Sequence, residues 1–528
     1  MKNNTTEGCE VLLVGYEDEE NLGLRSIAAY LTENGVRAKI EPYNNSHNKI
    51  LERILVEKPR LVGFSLIFQR MLFNFADLVA YLRKNGITAH FTIGGHFPTL
   101  EYRITLESIP GLDTVVRHEG ELTLLELFHN IDSPDHWNTI RGLAYRNNGE
   151  IVVTPPRPLI SDLDSLPFPI RNKEMATYRG LGIHSLLASR GCQYNCSFCS
   201  VQQFYRGAPG RKRRSRSPSG VVREMEKLYS ENGTRIFLFK DDDLGLRNTG
   251  QRQWVEEFIG ELKRKNLSDK IAWRISCRVD EVDAEMMNKL RENGLAFLYL
   301  GIESGSSHGL KTFNKGYSVD RIRPALNILQ ELGIKFEYGF MILDPDSTIE
   351  SIKENITFLG DLSRDGRAVV HFTKMFPYIG TTISHRLKTE GRLKGSIASP
   401  DYDFNDRRLH LLEYFFFKFA FDSYLMGNGL ANQLAMAKFD TIILDRFFSD
   451  EFDTRTYSMA VSELILQSND SVLRTMNRAV DFMENRSYGE IISDWYDLEI
   501  IVHDSKIIEQ NITEALKRLT INNRKVYT

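Results

Sequence analysis

The chain contains the stretch Ser189-Arg190-Gly191-Cys192-Gln193-Tyr194-Asn195-Cys196-Ser197-Phe198-Cys199, in which three cysteines follow the pattern CxxxCxxC. Three thiolates on one short loop can hold three corners of a cubic iron–sulfur cluster. A cluster that only transfers electrons normally has four cysteine ligands, so three ligands leave one iron open to a substrate or cofactor. The spacing therefore predicts a 4Fe-4S cluster that takes part in chemistry, with Cys192, Cys196 and Cys199 as its ligands.

A structural zinc site is the first alternative for these cysteines. Such a site usually takes four ligands in two short pairs, and no second Cys/His pair follows Cys199. His184 lies on the same segment, eight residues before Cys192 and on a predicted strand. Three unrelated buried thiols are the second alternative, and the spacing alone leaves both open.

Composition narrows the class of protein. The chain has 528 residues, is 42% hydrophobic and carries a net charge of −3, which allows about two to four domains and indicates no general attraction to nucleic acid or membrane. A thiolate-ligated cluster needs a reducing compartment. Residues 1–6 lack the apolar segment of a signal peptide, and no apolar run reaches the roughly 18 residues of a membrane span. We therefore expect a soluble cytoplasmic protein with no nucleic-acid or membrane partner.

The N-terminal part of the chain, residues 10–131, alternates between short β-rich runs and amphipathic helical runs. Apolar strands that alternate with helices indicate a parallel sheet covered on both faces. The predicted strands are 10–15, 37–43, 61–68, 88–94 and 113–117, and the predicted helices are 22–34, 75–85 and 121–127. This order predicts a doubly wound, Rossmann-like domain that would bind a ligand at the carboxyl ends of its strands.

Residues 143–153 predict a hairpin around Asn147-Asn148-Gly149. Five prolines between residues 155 and 169 then predict a linker without helix or central strand.

From residue 184 the alternation of strands and helices returns. The predicted strands are 185–189, 235–239, 272–277, 297–302, 335–342 and 368–375, and the predicted helices are 219–230, 253–265, 284–293, 319–332 and 348–362. Six βα units predict a partial (β/α)6 barrel with its active site at the carboxyl ends of the strands. The cysteine loop follows the first of these strands directly, so the cluster would lie at that mouth.

After residue 400 long helices with aromatic patches take over, and this region is either a cap over the barrel or a packing domain. The predicted fold class is therefore α/β with four parts. They are a Rossmann-like domain at 1–142, a hairpin and proline-rich linker at 143–180, a partial barrel at 181–395 and a mainly helical region at 396–528.

Several segments together carry a resemblance to a known family. Gly191-Cys192 through Cys199, on the first strand–loop of a six-unit barrel, resembles the radical S-adenosylmethionine (SAM) superfamily. The N-terminal domain resembles the cobalamin-binding domain that precedes the barrel in one large branch. The accompanying segments are Asn21-Leu22-Gly23-Leu24, Gly63-Phe64-Ser65, Gly94-Gly95-His96-Phe97-Pro98-Thr99, Glu119-Gly120-Glu121, 162–169, Arg278-Val279-Asp280, Gly301-Ile302-Glu303-Ser304-Gly305 and 377–381.

The resemblance implies a 4Fe-4S cluster, S-adenosylmethionine and cobalamin as cofactors. In this superfamily the open iron binds the amino and carboxylate groups of SAM. One electron from the cluster then yields a 5′-deoxyadenosyl radical, which abstracts hydrogen from an unactivated carbon. The cofactors supply the chemistry, while the protein positions them and excludes water.

Four residues of the barrel region are candidates for contact with these groups. Asp241 ends the second strand and could accept a hydrogen bond from the SAM amino group, or cap a helix. Arg278 ends the third strand and could pair with the SAM carboxylate, or form a salt bridge with Asp280. Glu303 ends the fourth strand, where it could contact the ribose, and Phe198 would pack beside the cluster or the adenine.

Five residues of the N-terminal domain are candidates for contact with cobalamin. Ser65 and Gly94-Gly95 end the predicted third and fourth strands, where a missing side chain lets a large planar ring approach the backbone. Leu22 and Gly23 belong to the matched segment after the first strand. The motif DxHxxG, through which some cobalamin enzymes ligate cobalt, is absent from the sequence. The domain therefore either binds cobalamin without that histidine or no longer binds it.

A run of basic residues follows the cluster loop and has two interpretations. It is either a clamp for an anionic group of the substrate or a solvated loop before the next helix. The run comprises Arg206, Arg211, Lys212, Arg213, Arg214 and Arg216.

The function that the resemblance implies is reductive cleavage of SAM followed by methyl transfer to an unactivated carbon of a small molecule or peptide. Methylcobalamin on the facing domain would deliver the methyl group. The alternatives are radical cyclisation or ring rearrangement without methyl transfer, and a non-catalytic sensor of cobalamin or redox state. An external electron donor of flavodoxin or ferredoxin type is the expected partner, and catalytic residues of the protein itself are not predicted.

Overall fold

The computed structural model describes residues 8–172 and 176–524, so the expectation for residues 1–6 lies outside the described residues. The chain forms two compact units. The first comprises the residues up to 234 together with 240–242 and 377–401, and the second comprises 235–239, 243–376 and the residues from 402 onward.

The N-terminal domain alternates strands and helices as predicted. Its elements are β1 (Val11–Gly15), α1 (Leu22–Glu33), β2 (Ala38–Pro42), α2 (His47–Glu57), β3 (Leu61–Ser65), α3 (Leu72–Lys84), β4 (His90–Gly94), α4 (His96–Leu100), α5 (Tyr102–Ser108), β5 (Thr114–Val116), α6 (Glu121–His129), β6 (Leu143–Asn147) and β7 (Glu150–Val153). All five predicted strands and all three predicted helices are present. The helices α2, α4 and α5 are additional to the prediction.

The sheet of this domain has the strand order β2-β1-β3-β4-β5-β6-β7, with β1 to β5 parallel. This is a doubly wound order with its topological switch point between β1 and β3. Each face of the sheet has its own core. Leu12 and Val14 of β1 pack on one side, and Val11 and Leu13 pack on the other, which explains why the strand is apolar throughout.

The predicted hairpin is present but belongs to this sheet rather than to the linker. β6 pairs antiparallel with β5, and β7 pairs antiparallel with β6. Asn148 and Gly149 in its turn have φ of 50° and 84°, as a two-residue hairpin turn requires. The placement differs because β5 presents an open edge, which β6 covers. The proline-rich segment that follows forms one short 3-10 turn, Leu163–Ser165, within residues 154–172.

The barrel region follows the linker. In chain order its elements are β8 (Thr177–Tyr178), β9 (Leu181–Leu186), β10 (Ser189–Arg190), α7 (Ser200–Arg206), β11 (Arg214–Ser215), α8 (Pro218–Asn232), β12 (Thr234–Phe239), α9 (Thr249–Arg264), β13 (Ala272–Arg278), α10 (Ala284–Glu292), β14 (Leu295–Glu303), α11 (Ser307–Thr312), α12 (Ile322–Glu331), β15 (Lys335–Leu343), α13 (Ile349–Ser363), β16 (Thr373–Lys374), α14 (Thr382–Thr389), β17 (Leu393–Gly395) and β18 (Pro400–Tyr402). In the second unit, β12 to β16 are parallel and each pairs with the next.

The sixth predicted strand, 368–375, is much shorter than expected, since only β16 forms. The reason is that the backbone groups of the residues before β16 form hydrogen bonds with side chains and not with a neighbouring strand. The Val370 N–H donates to Asn469 Oδ1 at 2.8 Å, and the Val369 carbonyl accepts from the Tyr338 hydroxyl at 3.0 Å. These groups are therefore not available for a β ladder.

The C-terminal region is helical, as predicted. Its helices are α15 (Arg408–Tyr414), α16 (Asp422–Leu425), α17 (Leu430–Phe447), α18 (Thr454–Glu484), α19 (Tyr488–Ser493) and α20 (Trp495–Arg524). A π-helical turn, Phe415–Ala420, joins α15 to α16. Two side chains of α17 donate to backbone carbonyls in and beside the barrel strands: Lys438 to Phe336 at 2.7 Å and Arg446 to Ile271 at 2.6 Å.

None of the described helices combines the length and the apolar character that crossing a membrane requires. The architecture is thus α/β, with a doubly wound N-terminal domain, a partial barrel of parallel strands and a helical C-terminal region.

Candidate functional site

The cysteine loop lies between β10 and α7. Cys192, Cys196 and Cys199 are half-buried and form no disulfide, and the loop turns so that the Cys199 N–H donates to the Cys196 carbonyl at 3.2 Å. Burial raises the pKa of the Cys199 thiol to about 11, so this thiol must lose its proton when it binds iron. Three thiols on one loop, none of them in a disulfide, fit the three protein ligands of an open cluster.

The cysteine sulfurs of a cubic cluster bind different irons, unlike the ligands of a single metal ion. In the part of the chain that the structure describes, no three His, Cys, Asp or Glu side chains are arranged to hold one metal ion.

Gly191 starts the loop and can only be glycine there. Its φ is +80°, a region that residues with a Cβ rarely adopt. A Cβ at this position would also lie 1.9 Å from the Lys212 carbonyl oxygen. Glycine is therefore required before Cys192, because two backbone segments approach each other closely at the base of the cluster loop.

Two aspartates after β12 hold the same segment. The Asp241 carboxylate accepts from the Ala188 N–H at 3.1 Å and from the Ser189 hydroxyl at 2.5 Å, and Asp242 accepts from the Gly191 N–H at 3.0 Å. Burial raises the pKa of Asp242 to about 6 and also raises the pKa of Asp241. Asp241 thus lies beside the cluster loop, and part of its hydrogen-bonding capacity is used to fix that loop.

A buried group of ion pairs, which we call the glutamate–arginine network, joins the base of the loop to the N-terminal domain. Arg190 lies 3.2 Å from Glu119 and 2.5 Å from Glu121, and Arg214 lies 2.9 Å from Glu119. All four side chains are at most 14% exposed. Glu119 also accepts from the Ile160 N–H of the linker at 2.7 Å.

The sequence does not predict the glutamate–arginine network. Glu119 and Glu121 stand in one of the segments that carry the family resemblance, but their partners lie 69 to 95 residues away in sequence. It also changes the interpretation of the basic run. Arg214 is buried in this network, and Arg216 pairs with Glu224 at 2.6 Å. These two arginines therefore belong neither to a solvated loop nor to a clamp for an anionic group of the substrate.

Helix α7, which starts directly after Cys199, packs against α4 and His118 of the N-terminal domain. The His96 ring stacks on Phe204 with centroids 4.5 Å apart, and His118 Nδ1–H donates to the Phe204 carbonyl at 2.8 Å. His118 has φ of +63°, which is rare for a residue other than glycine. Burial lowers the pKa of both histidines to about 4, so both rings are neutral at physiological pH.

The predicted cobalamin residues lie at the carboxyl edge of the N-terminal sheet. The strand register places Gly15, Ser65 and Gly94 side by side at the ends of β1, β3 and β4. Leu22 and Gly23 begin α1, and the cap residue of this helix, Asn21, lies 3.5 Å from the Ser65 hydroxyl.

The glycines at this edge are explained by packing inside the domain. A Cβ at Gly15 would lie 2.6 Å from Leu24 Cδ1, and a Cβ at Gly94 would lie 3.1 Å from the Val116 carbonyl oxygen. Gly95 has a further reason to be glycine, because its φ is +119° and a Cβ would lie 2.3 Å from the Leu66 carbonyl oxygen.

Phe198 lies in the cysteine loop, and Arg278 lies at the end of β13. Phe198 is half-buried within the cysteine loop. Arg278 is 6% exposed and forms the salt bridge that the sequence offered as an alternative, with Nε 2.8 Å from Asp280 Oδ1. The same guanidinium donates to the Lys315 carbonyl at 2.5 Å.

Glu303 ends β14 in an unusual backbone conformation. Its φ is +70°, and a non-glycine residue held there stores strain of about 1–3 kcal/mol, a feature that is concentrated at functional sites. Its carboxylate lies 3.4 Å from Lys315 Nζ, and burial raises its pKa. Glu303 is therefore a constrained, half-buried carboxylate at the end of β14.

Two family models match the chain. The model described as the B12 binding domain matches residues 10–128, and the model described as the Radical SAM superfamily matches residues 186–359. The first covers the doubly wound domain, and the second covers the cysteine loop and the strands up to β15.

Curated relatives include an anaerobic magnesium-protoporphyrin IX monomethyl ester cyclase of Cereibacter sphaeroides. It is 31% identical over 329 residues, which are 61% of this chain and 52% of the relative. The chain thus spans about half the length of that cyclase. An uncharacterized methyltransferase of Pyrococcus horikoshii is 30% identical over 329 residues, which are 62% of this chain and 68% of the relative.

The fold is also similar to that of a solved structure, the cobalamin-dependent S-adenosylmethionine radical enzyme OxsB with aqua-cobalamin and S-adenosylmethionine bound. The TM-score is 0.70 at 18% identity, over 98% of this chain and 80% of the other. The cofactors of the two matched domains are a 4Fe-4S cluster, SAM and cobalamin. The chain belongs to the radical SAM superfamily, in the branch whose members carry an N-terminal cobalamin-binding domain.

Proposed function

We propose that this protein is a cobalamin-dependent radical SAM enzyme that transfers a methyl group to an unactivated carbon of a small molecule or peptide. When bound, the cluster and SAM supply a hydrogen-abstracting adenosyl radical, and cobalamin supplies the methyl group. The observation that carries the proposal is the attachment of the cysteine loop to the cobalamin-binding domain at both ends. Arg190 pairs with Glu119 and Glu121 before the loop, and Phe204 contacts His96 and His118 after it.

The roles of the loop residues follow from their contacts. Cys192, Cys196 and Cys199 would hold the cluster, and Phe198 would pack beside it. Asp241 would accept from the SAM amino group in addition to its two internal hydrogen bonds, since a carboxylate has about four lone-pair sites.

The barrel residues Arg278 and Glu303 are proposed to contact the SAM carboxylate and ribose. The salt bridge between Arg278 and Asp280 would orient the guanidinium for the first of these contacts.

The cobalamin-binding residues are proposed from the carboxyl edge of the N-terminal sheet. Ser65, Gly94 and Gly95 would allow the ring close to the backbone, with Leu22 and Gly23 at the start of α1 beside them. The sequence lacks DxHxxG, so the cobalt would receive no histidine from that motif.

The relatives support methyl transfer and also define its competitor. The P. horikoshii protein is named a methyltransferase, and the C. sphaeroides protein is named a cyclase. Both outcomes start from the same adenosyl radical, so the proposal of methyl transfer concerns the second half of the reaction. We propose an external electron donor of flavodoxin or ferredoxin type, as the reductive first half requires one.

The first half is tested by replacing one cluster ligand. In anaerobically reconstituted protein with a strong reductant, Cys196→Ala is expected to abolish formation of 5′-deoxyadenosine from SAM. The matched control is Cys9→Ala, which removes a buried thiol outside the loop and should leave the product intact. If wild-type protein never cleaves SAM under these conditions, the enzyme proposal fails and a sensor role is favoured.

A further inference from the structure

A cavity lies in the second unit beside the barrel strands. It has a volume of about 300 Å³ and is lined by β14, β15, the segment 369–373 and helix α17. Small-molecule sites usually measure about 300–1,000 Å³, so the cavity has room for a small ligand. Because α17 forms one wall, the C-terminal region takes part in this cavity and is more than packing.

The register of β14 and β15 places polar side chains of both strands on the cavity wall. Tyr299 of β14 lies opposite Glu337 of β15, and Gly301 lies opposite Gly339. A Cβ at Gly339 would lie 2.9 Å from both a Glu303 carboxylate oxygen and the Tyr299 hydroxyl oxygen. The glycine therefore leaves space for these two polar side chains on the cavity wall.

Two charged residues of the cavity, Glu337 and Lys438, form no ion pair within the described residues. Burial lowers the pKa of Lys438 to about 8, and the negative charge of Glu337 opposes this shift, so the two opposite charges interact at a distance without direct contact. Glu337 is half-buried and has neither a hydrogen bond nor an ion pair through its carboxylate there. Lys438 of α17 is 3% exposed and lies within 4.0 Å of no carboxylate in the same residues. Its ammonium donates one hydrogen bond, to the Phe336 carbonyl at 2.7 Å. An ammonium has three donors, so two of them are left for a ligand.

The other charged group of the cavity is already compensated. Glu303 lies 3.4 Å from Lys315 Nζ. The aromatic rings of Tyr299, Tyr338 and Phe340 supply an apolar part of the wall. A ligand therefore meets one carboxylate and one ammonium that make no direct ion pair, with room for an apolar or aromatic side group.

We infer that this cavity is the substrate pocket and that it binds a small zwitterionic aminocarboxylate, such as a free amino acid. The ligand ammonium would contact Glu337, and the ligand carboxylate would contact Lys438. A buried charge is costly unless it is paired, and a zwitterion pairs both charges at once, whereas a neutral polyol pairs neither and a simple anion pairs one. The assignment as substrate pocket rests on the proposed function, but binding itself does not.

The test is calorimetric titration of the full-length protein with each of the twenty proteinogenic L-amino acids, in the absence of SAM. At least one is expected to bind, while its N-acetyl and methyl ester derivatives, which each remove one charge, bind at least about tenfold more weakly. Glu337→Gln and Lys438→Gln should each weaken binding by at least about tenfold. The exposed residues Glu331 and Lys311 provide matched controls as Glu331→Gln and Lys311→Gln, which should bind as the wild type does.

Four results would overturn the inference. They are binding of none of the twenty amino acids, equal binding of the charge-blocked derivatives, unchanged binding in both cavity variants whose fold is intact by circular dichroism, and displacement of the amino acid by SAM. Absent binding with intact SAM cleavage would reject only the pocket. Intact binding without SAM cleavage would reject the proposed function and leave the amino-acid site standing.

Discussion

At the scale of single residues, Gly191 at the start of the cluster loop is a position where the backbone leaves no room for a side chain. Its positive φ and the approach of the Lys212 carbonyl both exclude a side chain. The CxxxCxxC spacing predicts the cluster ligands from sequence, but the need for glycine before the first cysteine comes from a contact 21 residues further along the chain. Local sequence alone therefore predicts the ligands and not the geometry that presents them.

Gly191→Ala should lower the free energy of unfolding by more than about 1 kcal/mol, because alanine is strained at positive φ and would clash with Lys212. After reconstitution it should also lose most of its bound iron and sulfide. Gly260→Ala is the control, since this helical glycine has open space around its Cβ position. Wild-type iron content in the Gly191 variant would show that the loop tolerates a side chain.

His118 is a second residue with a constrained backbone, and it gives a pH dependence. Its pKa is about 4 in the folded protein and about 6.5 when unfolded. The unfolded state therefore takes up the proton first, and the free energy of unfolding falls as the pH drops from 6.5 to 4. The loss of His118 from this balance changes the free energy of unfolding by on the order of 3 kcal/mol at most.

Urea unfolding at several pH values measures how much His118 contributes to the pH dependence of the free energy of unfolding. His118→Asn should flatten the slope between pH 6.5 and 4, because asparagine accepts the left-handed conformation and does not titrate. The buried His96 should still give part of the slope, since its pKa is also about 4. An unchanged slope in the variant would mean that His118 is not buried in neutral form.

At the scale of elements, the glutamate–arginine network joins the turn before α6 to β10 and β11. Glu119 is 7% exposed and has two arginine partners. Removing one member of a buried pair leaves an uncompensated charge, which usually costs about 3–5 kcal/mol. An exposed pair contributes at most about 1 kcal/mol.

Glu119→Gln is therefore expected to lower the free energy of unfolding by about 3 kcal/mol. Asp132→Asn is the matched control, because Asp132 pairs with Arg60 at 2.7 Å but is 82% exposed, and it should cost less than about 1 kcal/mol. Equal effects of the two amide substitutions in urea unfolding would contradict the burial of the network.

The elements also show where sequence prediction succeeds and fails. Strong apolar periodicity predicts β1 to β5 and the barrel helices within a few residues. Helix α2 was not predicted, since only Ile50, Ile54 and Glu57 of it are buried and its apolar stripe is narrow. The sixth barrel strand was predicted too long, because Asn469 and Tyr338 take the backbone bonds that a ladder would use.

At the scale of the whole molecule, the sequence motif and the two domain matches identify the family, while the cavity is assembled from distant parts of the chain. Lys438 of α17 and Glu337 of β15 line one cavity, yet they are 101 residues apart in sequence. No local pattern predicts such a pair, and this is why the sequence left the role of the C-terminal region open.

The proposed methyltransferase uses SAM both as a radical source and as a methyl source, with cobalamin as carrier. Product analysis of anaerobically reconstituted protein with SAM, reductant, cobalamin and the amino acid that the titration identifies tests both uses at once. We expect near-stoichiometric binding of cobalamin and formation of both 5′-deoxyadenosine and S-adenosylhomocysteine. Formation of 5′-deoxyadenosine without S-adenosylhomocysteine would contradict methyl transfer.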